Sequence, residues 1–72
     1  MIETKTLDVR GLSCPEPAML TREALIALGS GTLIVLSDSF TSRTNIERTG
    51  KAIGWKAEVT QDDETYHITL TK

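Results

Sequence analysis

The chain has 72 residues, 39% of them hydrophobic, with 8 Lys and Arg, 10 Asp and Glu, and a formal net charge of -2. That length bounds it to one small domain over residues 1–72, and the charge balance, with no Lys or Arg cluster, argues against direct nucleic-acid binding. One cysteine excludes an intramolecular disulfide and a cysteine-rich zinc site. No 18-residue apolar run is present to span a membrane, and Met1-Ile2-Glu3-Thr4-Lys5 lacks a signal-peptide pattern, so the expected localisation is cytoplasmic.

Alternation predicts a first strand over Lys5–Arg10, with Leu7 and Val9 on one face and Thr6, Asp8 and Arg10 on the other. Gly11-Leu12-Ser13 is a tight connector. A first helix is expected over Pro15–Leu28, with Pro17, Leu20, Thr21, Ala24, Leu25 and Leu28 in one stripe and Gly29 past its end. Thr32–Leu36 is a continuous apolar run. It suits a central strand buried on both sides, or one buried face with an apolar outer face. Ser37, Asp38 and Ser39 can each cap a second helix over Phe40–Ile53. Thr41, Ser42, Thr44, Asn45, Thr49 and Gly50 weaken that helix, so tertiary packing must hold it. Trp55, Ala57 and Val59 then share one strand face, as do Tyr66, Ile68 and Leu70, and Gln61-Asp62-Asp63-Glu64 joins the two runs as a hairpin.

The order is β-α-β-α-β-β. Right-handed crossovers put both helices on one face of a mixed four-stranded sheet, giving a two-layer α/β sandwich. Lys56, Glu58, Thr60, His67, Thr69 and Thr71 would line the open face.

Cys14 sits in Leu12-Ser13-Cys14-Pro15-Glu16-Pro17. Proline is favourable at the first helical position, which makes no intrahelical use of its N–H. On that reading Cys14 is the N-cap residue. A thiol there faces unpaired N–H groups and the positive end of the helix dipole. Both favour the thiolate, the reactive form. The N–H of Glu16 and those just beyond Pro17 are the expected donors, and Glu16 itself suits the dipole while repelling a nearby anion. The plain alternative for Cys14 is a small buried hydrophobe.

The block Leu7-Asp8-Val9-Arg10-Gly11-Leu12-Ser13-Cys14-Pro15-Glu16-Pro17, followed by Thr21-Arg22 and Ala24-Leu25, resembles the TusA/SirA/YedF family of small sulfur-carrier proteins and their CPxP motif. The region Asp38–Ile46, with Arg43 and Asn45, looks closer to the YedF-type branch. The resemblance implies a sheet order 1-2-4-3 with one strand antiparallel to the rest. It also implies a persulfide carried on Cys14. The sulfur donor would be a cysteine desulfurase or rhodanese-like protein, and the recipient an acceptor protein. No cofactor is implied beyond the transient sulfur, and the chain would be a covalent carrier in a sulfurtransferase relay. Asp8, Arg10, Gly11, Leu12, Pro15 and Pro17 occupy the other motif positions.

Asp8 and Arg10 read as a surface pair or as a brace for the Gly11–Ser13 loop, and Arg10 is also a candidate to steady an anionic sulfur. Met19, Ile26 and Phe40 would form a partner-docking patch if they surround Cys14, although Phe40 also reads as core. His67 is expected to face solvent, Trp55 and Tyr66 to pack in the core and hairpin, and Asp62-Asp63-Glu64 to be a solvated turn. The rival function is a noncatalytic interaction or regulatory module using the helix N-terminus and the open sheet face.

Overall fold

A computed structural model describes residues 4–13 and 15–72. Strands β1 (Thr4–Asp8), β2 (Thr32–Ser37), β3 (Lys56–Asp62) and β4 (Thr65–Thr71) form one sheet in the order β1-β2-β4-β3. β1 and β2 are parallel, and β4 is antiparallel to both β2 and β3. Helices α1 (Glu16–Leu28) and α2 (Phe40–Ala52) pack on each other. α1 lies over β2, and α2 over β3 and β4, so the two share one face of the sheet. This is the two-layer sandwich expected, with β4 as the reversed strand.

The pairing register sorts the side chains onto two faces. Leu7, Val35, Ile68 and Val59 stand in one row across the inner face, and Leu33, Leu70 and Ala57 in the next. Leu25 and Ile46, both buried, reach these rows from the helices. Burial of each such side chain stabilises the fold by roughly 1.5–3 kcal/mol. On the outer face, Thr6, Ile34, Thr69 and Glu58 form one row, and Asp8, Leu36, His67 and Thr60 another. The six residues expected on the open face are all there. Ile34 and Leu36 are only half-buried, so β2 has one buried face and an apolar outer face.

Several boundaries differ from expectation, each for a local reason. β1 ends at Asp8 instead of Arg10, because the Arg10 N–H donates to Asp8 Oδ1 (3.0 Å) rather than to the ladder. α1 begins at Glu16 with Pro15 as its N-cap residue, so the cap falls one position later than Cys14, which lies outside the described residues. Leu20 is more than a third exposed instead of lying in the buried stripe, which narrows to Pro17, Thr21 and Leu25. The Gly29 N–H donates to the Leu25 carbonyl (2.9 Å), closing α1 as anticipated. The third and fourth strands run further than their apolar residues alone suggest, leaving Asp63-Glu64 as the turn, with Asp63 at φ 55°.

Three hydroxyl or carboxylate residues could have capped α2; Ser39 is the one that does, its Oγ accepting from the Ser42 N–H at 3.3 Å. α2 ends at Ala52, with Ile53 as its C-cap. Its weak local propensity is offset by packing. Ile46 is fully buried, and Gly50 lies so close to β4 that a Cβ there would sit 2.7 Å from Leu70 Cδ2.

Candidate functional site

The candidate site is the junction between β1 and α1, at the carboxyl end of the parallel pair. Val9 pins the strand exit: it is buried, and its N–H donates to the Leu36 carbonyl at 2.9 Å. Past it the chain folds over itself. The Arg10 guanidinium grips the Asp8 carboxylate as a fork, Nε to Oδ1 at 2.9 Å and Nη2 to Oδ2 at 2.8 Å. Gly11 takes φ +80°, a region that disfavours side chains, although nothing stands where a Cβ would project. The Leu12 N–H donates to the Val9 carbonyl (3.3 Å), and the Leu12 side chain packs against the core.

The Asp8 and Arg10 charges are thus used on one another. Hydrogen bonds from the Arg10 side chain and backbone hold the Asp8 carboxyl down at about 2, against an ordinary 3.8. Asp8 in turn raises the Arg10 pKa, with a smaller contribution from Asp38. Asp38 also touches the loop directly, its Oδ1 accepting the Gly11 N–H at a long 3.4 Å. That contact ties the start of α2 to the β1–α1 connection. Asp38 was expected only as a capping residue, and nothing local in the sequence pairs it with Gly11.

On the far side of Cys14, the Glu16 N–H donates to the Ser13 carbonyl (3.0 Å), closing a turn across the motif. This engages a donor that was expected to face the sulfur. Pro15 is exposed and Pro17 buried; their missing N–H groups fall at the N-cap and second helical positions, where a helix has no internal use for them. The buried Thr21 hydroxyl donates to the Pro17 carbonyl at 2.8 Å, locking the first turn to the second.

The proposed docking trio does not gather in one place. Met19 and Phe40, 56% and 63% exposed, stand near the N-terminal ends of α1 and α2 at the carboxyl ends of β1 and β2. Ile26 is equally exposed but belongs to the other end of α1, about 15 Å along the helix from Glu16. There it lines a shallow depression with Gly29, Ile53, Trp55 and Lys72. A helical wheel gives the angle of a residue and not its height, which is how Ile26 was grouped with the others.

Phe40 is not core. Arg43 Cζ lies 5.2 Å from its ring centroid and 5.6 Å from that of Tyr66. The sequence signal for this cluster was the Phe40-x-x-Arg43 spacing, which puts the two on adjacent turns. His67 is on the outer face, two strands and roughly 10 Å from Asp8. A surface depression of about 500 Å³ lies on α2 beside Thr44, Glu47, Arg48, Lys51 and Ala52. Among the described residues no cluster of three His, Cys, Asp or Glu side chains is placed to hold a metal ion. Likewise, no helix there is long and apolar enough to cross a membrane.

The family model for the sulfurtransferase TusA matches residues 5–72. The crystal structure of a SirA-like protein from Desulfitobacterium hafniense is 30% identical, covers 93% of this chain and 95% of its own, and superposes with a TM-score of 0.86. These matches do not separate the YedF-type branch from its relatives. Taken with the β-α-β-α-β-β sheet order and the motif-bearing junction, they establish that the chain belongs to the TusA/SirA family of sulfur carriers.

Proposed function

We infer that the chain accepts sulfane sulfur on Cys14 as a persulfide and relays it to an acceptor protein. The observation that carries this reading is the family match over residues 5–72, within which Cys14 is the one thiol. In the loading step the Cys14 thiolate attacks the terminal sulfur of a donor persulfide, R–S–SH. A new S–S bond forms on Cys14, the donor S–S bond breaks, and R–S⁻ leaves. The transferred sulfur retains its proton, then ionises. Unloading repeats the step with an acceptor thiolate as nucleophile and the Cys14 thiolate as leaving group. No external oxidant and no resident cofactor enters either step.

The donor would be a cysteine desulfurase or rhodanese-like protein. A reducing, cytoplasmic compartment suits a thiol carrier, since it keeps Cys14 from random oxidation. The neighbouring geometry supports the reading in two ways. Pro15 and Pro17 stiffen the start of α1, so a sulfur delivered into a partner's active site would be presented on a rigid mount. The fork between Arg10 and Asp8 braces the loop and does not leave a bare cation to trap the sulfur.

The test is the intact mass of the full chain after incubation with a cysteine desulfurase and cysteine. The expected result is a gain of one sulfur atom, mapped to the Cys14 peptide and removed by a thiol reductant. No uptake from any desulfurase or rhodanese-like donor would defeat the reading. Equal uptake by Cys14→Ala would move the site elsewhere.

A further inference from the structure

We propose that Phe40, Arg43 and Tyr66 form a docking surface for a carboxylate-bearing, apolar-flanked segment of the protein with which the chain exchanges sulfur. This rests on the carrier reading for the identity of the partner, while the chemistry of the surface stands on its own geometry.

The Arg43 guanidinium lies over two aromatic rings, 5.2 Å from Phe40 and 5.6 Å from Tyr66. Ring contact strips water from the faces of the cation and leaves its edge N–H groups as the route for compensation. Arginine carries five such donors. Among the described residues its ionic contact is Glu47, with Oε1 3.4 Å from Nε. That contact lacks hydrogen-bond geometry, and Nε is buried without a hydrogen-bond partner. Because Nε is closed off, a carboxylate arriving from solvent would meet the Nη groups of the fork.

The surroundings suit such a contact. A depression of about 280 Å³ is lined by Phe40, Arg43, Val59, Thr60, Gln61 and Tyr66. Its lining holds one cation and no carboxylate, Glu47 meeting Arg43 from outside that lining. Phe40, 63% exposed, offers an apolar platform beside the charge. A carboxylate meeting the guanidinium edge, with a large apolar side chain against the Phe40 ring, satisfies both. The surface also has the right address. Phe40 is two residues beyond Asp38, which accepts the Gly11 N–H in the loop leading to Cys14.

The experiment titrates the isotopically labelled full chain with N-acetyl-Leu-Glu-Leu-amide and, separately, with its Leu-Gln-Leu counterpart, following backbone amide shifts by NMR. The expected result is a set of shifts centred on Phe40, Arg43, Thr60, Gln61 and Tyr66. The Glu peptide should bind roughly tenfold or more tightly than the Gln peptide, the difference expected for a charge-assisted bond. Added salt should weaken only the Glu peptide. Arg43→Gln should erase the preference, and Arg43→Lys, which keeps the charge and loses the fork, should retain part of it. The amide spectrum of each variant reports its folding. Equal binding of the two peptides, shifts centred elsewhere, or no shifts at all would overturn the proposal. Sulfur loading of Cys14, measured by mass on the same samples, decides the carrier reading separately, because peptide binding requires no sulfur.

Discussion

Placing a methyl group at Gly50 tests whether α2 is held by its close approach to β4. Two effects oppose each other. Alanine is better than glycine inside a helix by about 1 kcal/mol. Against that, its Cβ would stand 2.7 Å from Leu70 Cδ2 and 3.5 Å from Cδ1, whereas carbon atoms rest at roughly 3.5–4.0 Å. Leu70 is fully buried, so its methyl has no open space to enter, and the helix and sheet must part by about 1 Å locally. Overpacking of this kind costs about 1–3 kcal/mol. Gly50→Ala should therefore lie between neutral and about 2 kcal/mol destabilising, and Gly50→Val, which adds bulk with less helical gain, should be worse. The cleaner readout is a double-mutant cycle. Leu70→Val withdraws the δ-methyl contact, so in that background Gly50→Ala should show its propensity gain and stabilise by up to about 1 kcal/mol. Urea unfolding followed by the fluorescence of Trp55, buried at 4% exposure, measures each term. A full gain from Gly50→Ala with Leu70 intact would refute the claim that this contact limits the spacing of the two layers.

Two further outcomes follow from the candidate site and its neighbour. Asp8 should titrate at about 2 in the folded chain by carboxyl NMR, and Arg10→Gln should return it toward 3.8. Because the folded pKa lies below the ordinary value, the linked stability is present above about pH 4 and fades as pH falls from there toward 2; the pair is exposed, so the effect should be small and weakened by salt. Ser39→Ala removes the α2 cap and should cost about 0.5–1 kcal/mol, a fall of a few degrees in Tm by calorimetry, with Ser39→Asp restoring most of it.

The periodicities in the sequence carried most of the architecture. Strand alternation assigned the apolar inner-face residues of β3 and β4, since a one-residue slip would have put Ile68 and Leu70 in water, but it left Gln61, which pairs with Tyr66, in the hairpin connection. The misses share a cause: each depends on something the local pattern does not encode. The end of β1 turned on competition by the Asp8 side chain for the Arg10 N–H. Leu20 looked buried on the wheel, but α1 lies over β2 near the sheet edge and has less beneath it to cover the stripe. The partners of Arg43 come from two elements, with Tyr66 arriving from β4, so the pattern could suggest Phe40 but not the cluster. The motif block, by contrast, was legible through its resemblance to the family, and its two prolines marked the start of α1 to within one residue.

A carrier must release sulfur as readily as it takes it, and this sets a limit on how much its own surroundings should stabilise a bound anion. A helix N-terminus contributes roughly 0.3–1 kcal/mol at an exposed position, which shifts an exchange equilibrium only about two- to fivefold. Arg10 is committed to Asp8, the Glu16 N–H to the Ser13 carbonyl, and Glu16 and Asp38 bring negative charge to the same end of the sheet. For the relay proposed, so small a helix-terminus bias leaves direction to the relative stability of the persulfide on each partner, and leaves selection of those partners to surfaces away from the sulfur. The Phe40–Arg43–Tyr66 cluster, next to the loop yet carried on different elements, would let recognition change without altering the chemistry at Cys14.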